Sequence, residues 1–113
     1  MARSRKTASI AKTIKISDES WDKLRKLKLD DLSKESYTSV LIFIWERVKQ
    51  YIMNQDLRIN LDMFLKDEEK EYNKTVVIHV EAHKILTSIK YDYNLKTLSD
   101  AIDLLIEEYN MRF

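Results

Sequence analysis

The chain has 113 residues, 44% of them hydrophobic, which is enough for a modest core shared by one compact domain or two very small ones. It contains no cysteine, glycine or proline, which excludes a disulfide framework, a thiolate metal site, a cysteine nucleophile and the glycine loops of P-loop and dinucleotide-binding folds. Twenty basic residues against nineteen acidic ones leave a net charge of +1, so charge is informative only through its placement.

Residues 1–11 read as a basic arm. Arg3, Arg5 and Lys6 precede any acid, and with Lys12 and Lys15 the first fifteen residues carry five positive charges and no negative one. Such an arm is a footprint of nucleic-acid binding, because each neutralised phosphate releases counterions; the plain alternative is a solvated chain end. The longest apolar run, Val40 to Trp45, is far shorter than the roughly 18 residues of a membrane span, and the polar start lacks a signal-peptide core. A soluble, intracellular protein is expected.

Residues 12–53 form a first unit. Thr13-Ile14-Lys15-Ile16 alternates polar and apolar as a half-buried strand does, and Ser17-Asp18-Glu19 then supplies a helix cap and an acidic first turn. Trp21, Leu24 and Leu27 make the stripe of a first helix. After the polar break from Asp30 to Glu35, a second helix opens at Ser36-Tyr37-Thr38, with Leu41, Ile44, Trp45 and Val48 on its inner side. Residues 54–73 read as an acidic linker, where Asp62, Asp67, Glu68, Glu69 and Glu71 outnumber Lys66 and Lys70. Within it Leu57, Leu61 and Leu65 have the spacing of a short helix.

Residues 74–113 repeat the first unit. Val77-Ile78-His79-Val80 alternates again, 64 residues after the first strand, and leads through Glu81-Ala82-His83 into a helix with Ile85, Leu86 and Ile89. A shorter break from Asp92 to Lys96 precedes a helix opening at Thr97-Leu98-Ser99. There Ile102, Leu105, Ile106 and Tyr109 repeat the stripe of the earlier second helix at an offset of 61. Neither half can satisfy its single strand alone, so each is expected to pair with the other.

This doubled strand-helix-helix pattern, with an S/T-x-S/T opening to each second helix, resembles the ribbon-helix-helix family of the Arc and MetJ repressors. The resemblance covers roughly Lys12 to Tyr51 and Lys74 to Tyr109. It implies a mostly α fold with a short two-stranded antiparallel β-ribbon, arranged as a tandem pseudo-dimer in one chain. It also implies a sequence-specific transcription regulator that inserts the ribbon into the major groove of double-stranded DNA and clamps phosphates with the second-helix N-termini. The tandem layout and the lysine-, glutamate- and isoleucine-rich composition are similar to a transcription regulator of an archaeal filamentous virus. The family often carries glycine in the inter-helix turn; neither copy here does, so these turns are expected to run through asparagine, such as Asn94, or through a longer path.

If Ile14 and Ile16 face the helices, the pleat turns Thr13 and Lys15 outward; the same reasoning buries Ile78 and Val80 and exposes Thr75, Val77 and His79. The family assigns base readout to such outward positions, which nominates Thr13, Lys15, Val77 and His79. Lysine can donate to guanine O6 or N7, threonine can bond a base edge or touch a methyl, and valine can pack on a thymine methyl. Phosphate contacts fall to Arg3, Arg5, Lys6 and Lys12, and to Ser36, Thr38, Thr97 and Ser99 at the helix starts, where free N–H groups and the dipole favour an anion. Asp100 weakens the second of these sites by repulsion. Each nominee has an ordinary structural explanation as well: strand propensity for Val77, a solvated charge for Lys15, a surface position for His79, helix capping for the hydroxyls.

His79 and His83 lie four apart with Glu81 between them, but they straddle a strand-helix boundary and do not match the H-E-x-x-H order of zinc proteases. No metal, cofactor, catalytic set or small-molecule substrate is expected, and no membrane partner. The expected partner is double-stranded DNA, with further self-association of units along it. The competing class is a helical protein-interaction module, antitoxin-like or a scaffold, using the acidic linker and the last helix, with Met111 and Phe113 in the contact.

Overall fold

The computed structural model describes residues 11–31, 36–64 and 71–113; Arg3, Arg5 and Lys6 of the arm and Leu65, Lys66, Asp67, Glu68, Glu69 and Lys70 of the linker lie outside them. Strand β1 (Ala11–Ile16) leads through Ser17 into helix α1 (Asp18–Lys26), which widens into a π turn over Leu27–Asp31. Helix α2 (Tyr37–Met53) and a 3-10 turn (Leu61–Phe64) precede strand β2 (Lys74–His79), helix α3 (Val80–Asp92) and helix α4 (Leu98–Arg112). The described chain is thus mostly helical, with one two-stranded antiparallel sheet. No helix among the described residues is long and apolar enough to cross a membrane.

In the sheet Thr13 lies opposite Val77, Ile14 opposite Val76 and Lys15 opposite Thr75. Ile14, Ile16, Val76 and Ile78 point into the helices and are buried. The expected second strand is shifted: it begins at Lys74 and ends at His79, and Val80, expected as a buried strand residue, is the half-buried first residue of α3. The cause is local. His79 Nδ1 accepts from the Glu81 N–H at 3.1 Å and so caps α3, which therefore starts at Val80.

The other three helices begin on hydroxyls. Ser17, Ser36 and Thr97 accept from the N–H groups of Ser20, Ser39 and Asp100, each at 3.1 Å. Two helices also end alike without glycine. After α2 the Gln55 N–H donates to the Ile52 carbonyl and the Asp56 N–H to that of Tyr51; after α3 the Asn94 N–H donates to Tyr91 and the Leu95 N–H to Lys90. This double bond pattern demands a left-handed residue, and Gln55 (φ 56°) and Asn94 (φ 54°) supply it. Glutamine has no local bond to offset that conformation, so Gln55→Gly is expected to stabilise the fold by about 0.5–1 kcal/mol. The urea midpoint should rise with the slope unchanged; a lowered midpoint would refute this account of the turn.

Helix α4 is the centre of the core. Ala101, Ile102, Leu104, Leu105 and Ile106 are all buried, as a helix covered on nearly all sides requires, and α1, α2, α3 and β1 all pack on it. Burial repeats along the chain: Ile14, Ile16, Leu24 and Leu27 recur 62 residues later as Val76, Ile78, Leu86 and Ile89. Val40, Leu41 and Ile44 recur 61 residues later as Ala101, Ile102 and Leu105.

The start of the linker is bound to this core by one carboxylate. Glu108 is 0% exposed and accepts from the N–H groups of Arg58 (2.9 Å) and Ile59 (3.2 Å) and from Arg112 Nε. Arg112 also donates to the Asp56 carbonyl and lies over the Tyr51 ring. Burial acts to lower the Arg112 pKa, but the Glu108 hydrogen bond and charge raise it on balance above its ordinary value. Leu57 and Leu61 are half-buried against the core and Ile59 and Phe64 are buried, so residues 57–64 lie along the helices, and among these described residues the expected helix is reduced to the 3-10 turn Leu61–Phe64.

Candidate nucleic-acid interface

With its inner residues on the helices, the ribbon presents Thr13, Lys15, Thr75 and Val77 to solvent on its other side. Val77 is 59% exposed, an apolar side chain on the open face of the ribbon. The outward residues form two cross-strand pairs, Thr13 with Val77 and Lys15 with Thr75, on either side of the Ile14 to Val76 pair. Thr75 is the outward residue that the sequence reading exposed without nominating. The reason is the offset: matching the halves at 64 residues makes Val77 the counterpart of Thr13, whereas burial sets the offset at 62 and makes Thr75 its counterpart.

By the same correction His79 is the counterpart of Ser17, not of Lys15. Both cap an early helix. His79 is half-buried at the end of β2, opposite Ala11, with its ring nitrogen engaged by Glu81. It therefore stands at the ribbon's end, two residues beyond Val77.

The starts of α2 and α4 reach the two ends of the ribbon. The His79 N–H, ending β2, donates to Thr38 Oγ1 at 2.9 Å; the Ser17 N–H, just after β1, donates to Ser99 Oγ at 3.1 Å. The S/T-x-S/T motif thereby acquires two distinct tasks. Its first hydroxyl, Ser36 or Thr97, caps its own helix, and its second, Thr38 or Ser99, accepts a backbone N–H from the opposite half. Ser36 is exposed and Thr38 and Thr97 are half-buried, but Ser99 is 1% exposed with its hydroxyl engaged internally, so it does not reach the surface as the sequence reading supposed. Asp100, expected to repel an anion there, is itself buried.

Comparison with known protein families, curated proteins and solved structures found no match to the chain. The chemistry of the surface must stand alone. Lys12 and Lys15 are exposed on β1, and Lys96 is exposed just ahead of the Thr97 cap. Lys74 and Arg25 both lie over the Trp21 ring, at 4.8 and 5.5 Å from its centroid. Lys96 directly precedes the Thr97 cap and Lys74 opens β2, so both place positive charge beside the ribbon or a helix start. Among the described residues no group of three or more histidine, aspartate or glutamate side chains is placed to hold a metal ion. A cavity of about 510 Å3, lined by Leu57, Ile59, Asp92, Tyr93 and Asn94 among others, lies between the linker and the end of α3 and contains none of the nominated residues.

Proposed function

We propose that the chain is a tandem ribbon-helix-helix pseudo-dimer that binds double-stranded DNA sequence-specifically inside the cell as a transcription regulator, with no catalytic role. The observation that carries this reading is the open outer face of the ribbon: two strands, one from each half, with Thr13, Lys15, Thr75 and Val77 exposed together. A two-stranded ribbon matches the roughly 12 Å width of the major groove. The helix starts at Ser36 and Thr97, placed at opposite ends of the ribbon, suit the flanking phosphates, and Arg3, Arg5, Lys6 and Lys12 add charge that neutralises backbone.

The pseudo-twofold axis of this unit passes through the Ile14 to Val76 pair, relating Thr13 to Thr75 and Lys15 to Val77. The two threonines would read both half-sites alike. Lys15 and Val77 would not, so the site is expected to be an imperfect palindrome, with guanine favoured on one side and a thymine methyl on the other. Lys15→Ala and Val77→Ala should each relax preference in one half-site by about 1–3 kcal/mol, at different base pairs. Selection from random duplexes, repeated for both variants, is the test. Affinity should also fall steeply with salt, and removal of Met1 to Lys6 should weaken all sequences alike, since an arm on the backbone carries little base information. Salt-independent affinity, or symmetric preferences altered equally by both variants, would refute the assignment.

A protein-interaction module is the second reading, favoured by the exposure of Met111 and Phe113 at the end of α4. It predicts no salt-sensitive duplex binding at all.

A further inference from the structure

Each early helix packs on the late helix of the opposite half, and the two contacts differ in chemistry. Between α1 and α4, Ser20 Oγ donates to Asp103 Oδ1 at 2.7 Å and lies 2.8 Å from Ser99 Oγ, while Ser17 Oγ donates to Ser20 Oγ at 2.9 Å. All four residues are buried, and Lys23 pairs with Glu107 at 3.2 Å beside them. Between α3 and α2 the corresponding positions hold Ala82 for Ser20, Ile85 for Lys23 and Ile42 for Asp103. Only the bond from the early-helix cap is common to both, from Ser17 to Ser99 and from His79 to Thr38.

We propose that the buried Ser20–Asp103 pair is a self-recognition device that makes a first half accept a second half and refuse another copy of itself. The inference rests on the pseudo-twofold reading of the two halves and is independent of DNA binding. If two second halves paired, Ala82 of one would meet Asp103 of the other, and a buried carboxylate would lose the Ser20 hydroxyl. If two first halves paired, Ser20 would meet Ile42. The polar set is complete only in the mixed pair, and an incomplete buried polar set is costly. The two wrong pairs are thereby disfavoured without any gain to the right one, which is how specificity against a near-identical partner is achieved. An unpaired β1 is a template for the same strand of a neighbouring chain, so such a device has work to do whenever two copies fold side by side. It also keeps Lys15 and Val77 on one ribbon.

Single substitutions reproduce each wrong contact inside the intact chain. Ser20→Ala creates alanine against aspartate, Asp103→Ile creates serine against isoleucine, and the double variant recreates the alanine and isoleucine of the α3 to α2 contact. Urea unfolding of the four chains is the experiment. Ser20→Ala should lower the folding equilibrium constant at least about tenfold and Asp103→Ile severalfold, while the double variant should return to within about threefold of the parent. Losses that simply add would overturn the proposal, because the two side chains would then act independently, and so would a double variant no more stable than the single ones, because the pair would then be an ordinary stabiliser. So would a double variant that fails to fold, or single variants as stable as the parent. Duplex binding by the parent is read separately, so failure of either proposal leaves the other distinguishable.

Discussion

A chain ending at Gln55 is expected to have no stable monomeric fold. Its strand β1 would lose β2, the partner of all six of its residues, and a lone strand cannot satisfy its own N–H and C=O groups. Its helices would lose α4, against which both α1 and α2 pack, exposing Leu24, Leu41 and Ile44, each at most 1% exposed in the full chain. A helix of nine residues such as α1 is well below the roughly 12–15 that hold together in water without tertiary support. The fragment should lose its helical circular dichroism at low concentration, or recover part of it only as a concentration-dependent dimer. Sedimentation and circular dichroism across a dilution series decide the matter. A cooperative, monomeric first half would overturn the view that the halves share one core.

Glu108→Ala should be the most damaging single substitution in the later half, at about 3–5 kcal/mol. The carboxylate has no solvent contact, and its removal leaves the N–H groups of Arg58 and Ile59 without their acceptor and the Arg112 guanidinium without its carboxylate partner. Glu108→Gln keeps an acceptor oxygen for the two N–H groups but surrenders the charge, so it should cost less, about 1.5–3 kcal/mol. The two variants therefore separate the linker's hydrogen bonds from the ion pair. Urea denaturation at neutral pH provides both numbers, and equal losses would mean that the backbone contacts contribute nothing. The consequence reaches beyond the linker: Tyr93, whose hydroxyl donates to the Ile52 carbonyl, has its pKa raised by burial and by the nearby charges of Asp92 and Glu108. The ends of α2, α3 and α4 thus meet at one charged corner, remote in sequence and joined by two residues whose roles are invisible in any periodic pattern.

What could be read from the linear chain is what short-range physics determines. Most of the inner stripe of each helix follows from spacing: Leu24, Leu27, Leu41, Ile44, Val48, Leu86, Ile89, Ile102, Leu105 and Ile106 are buried, while Trp21, Trp45, Ile85 and Tyr109 of the same stripes are half-buried against the core. Ser17, Ser36 and Thr97 cap the helices they precede because a cap bond spans three residues and needs nothing distant. Asn94 takes the left-handed turn for an equally local reason. The outward phase of Thr13, Lys15 and Val77 follows from the pleat. That the two strands pair with each other was legible too, because neither half can satisfy its strand alone, but the register of that pairing and the contacts made across it were not. The register that sets Thr75 beside Lys15, and with it the 62-residue offset, is chosen by which apolar residues meet under the sheet, and Val76, Ile78 and Val80 satisfy a two-residue period equally well. The sequence makes Thr38 and Ser99 look like capping residues, yet they serve as acceptors for the opposite half, because an N–H with no partner appears only once the ribbon's ends are brought to α2 and α4. Glu108 reads as one more charge near the end of a helix. Only the tertiary structure, by folding Arg58 and Ile59 back over α4 and away from water, turns it into the acceptor that their backbone requires.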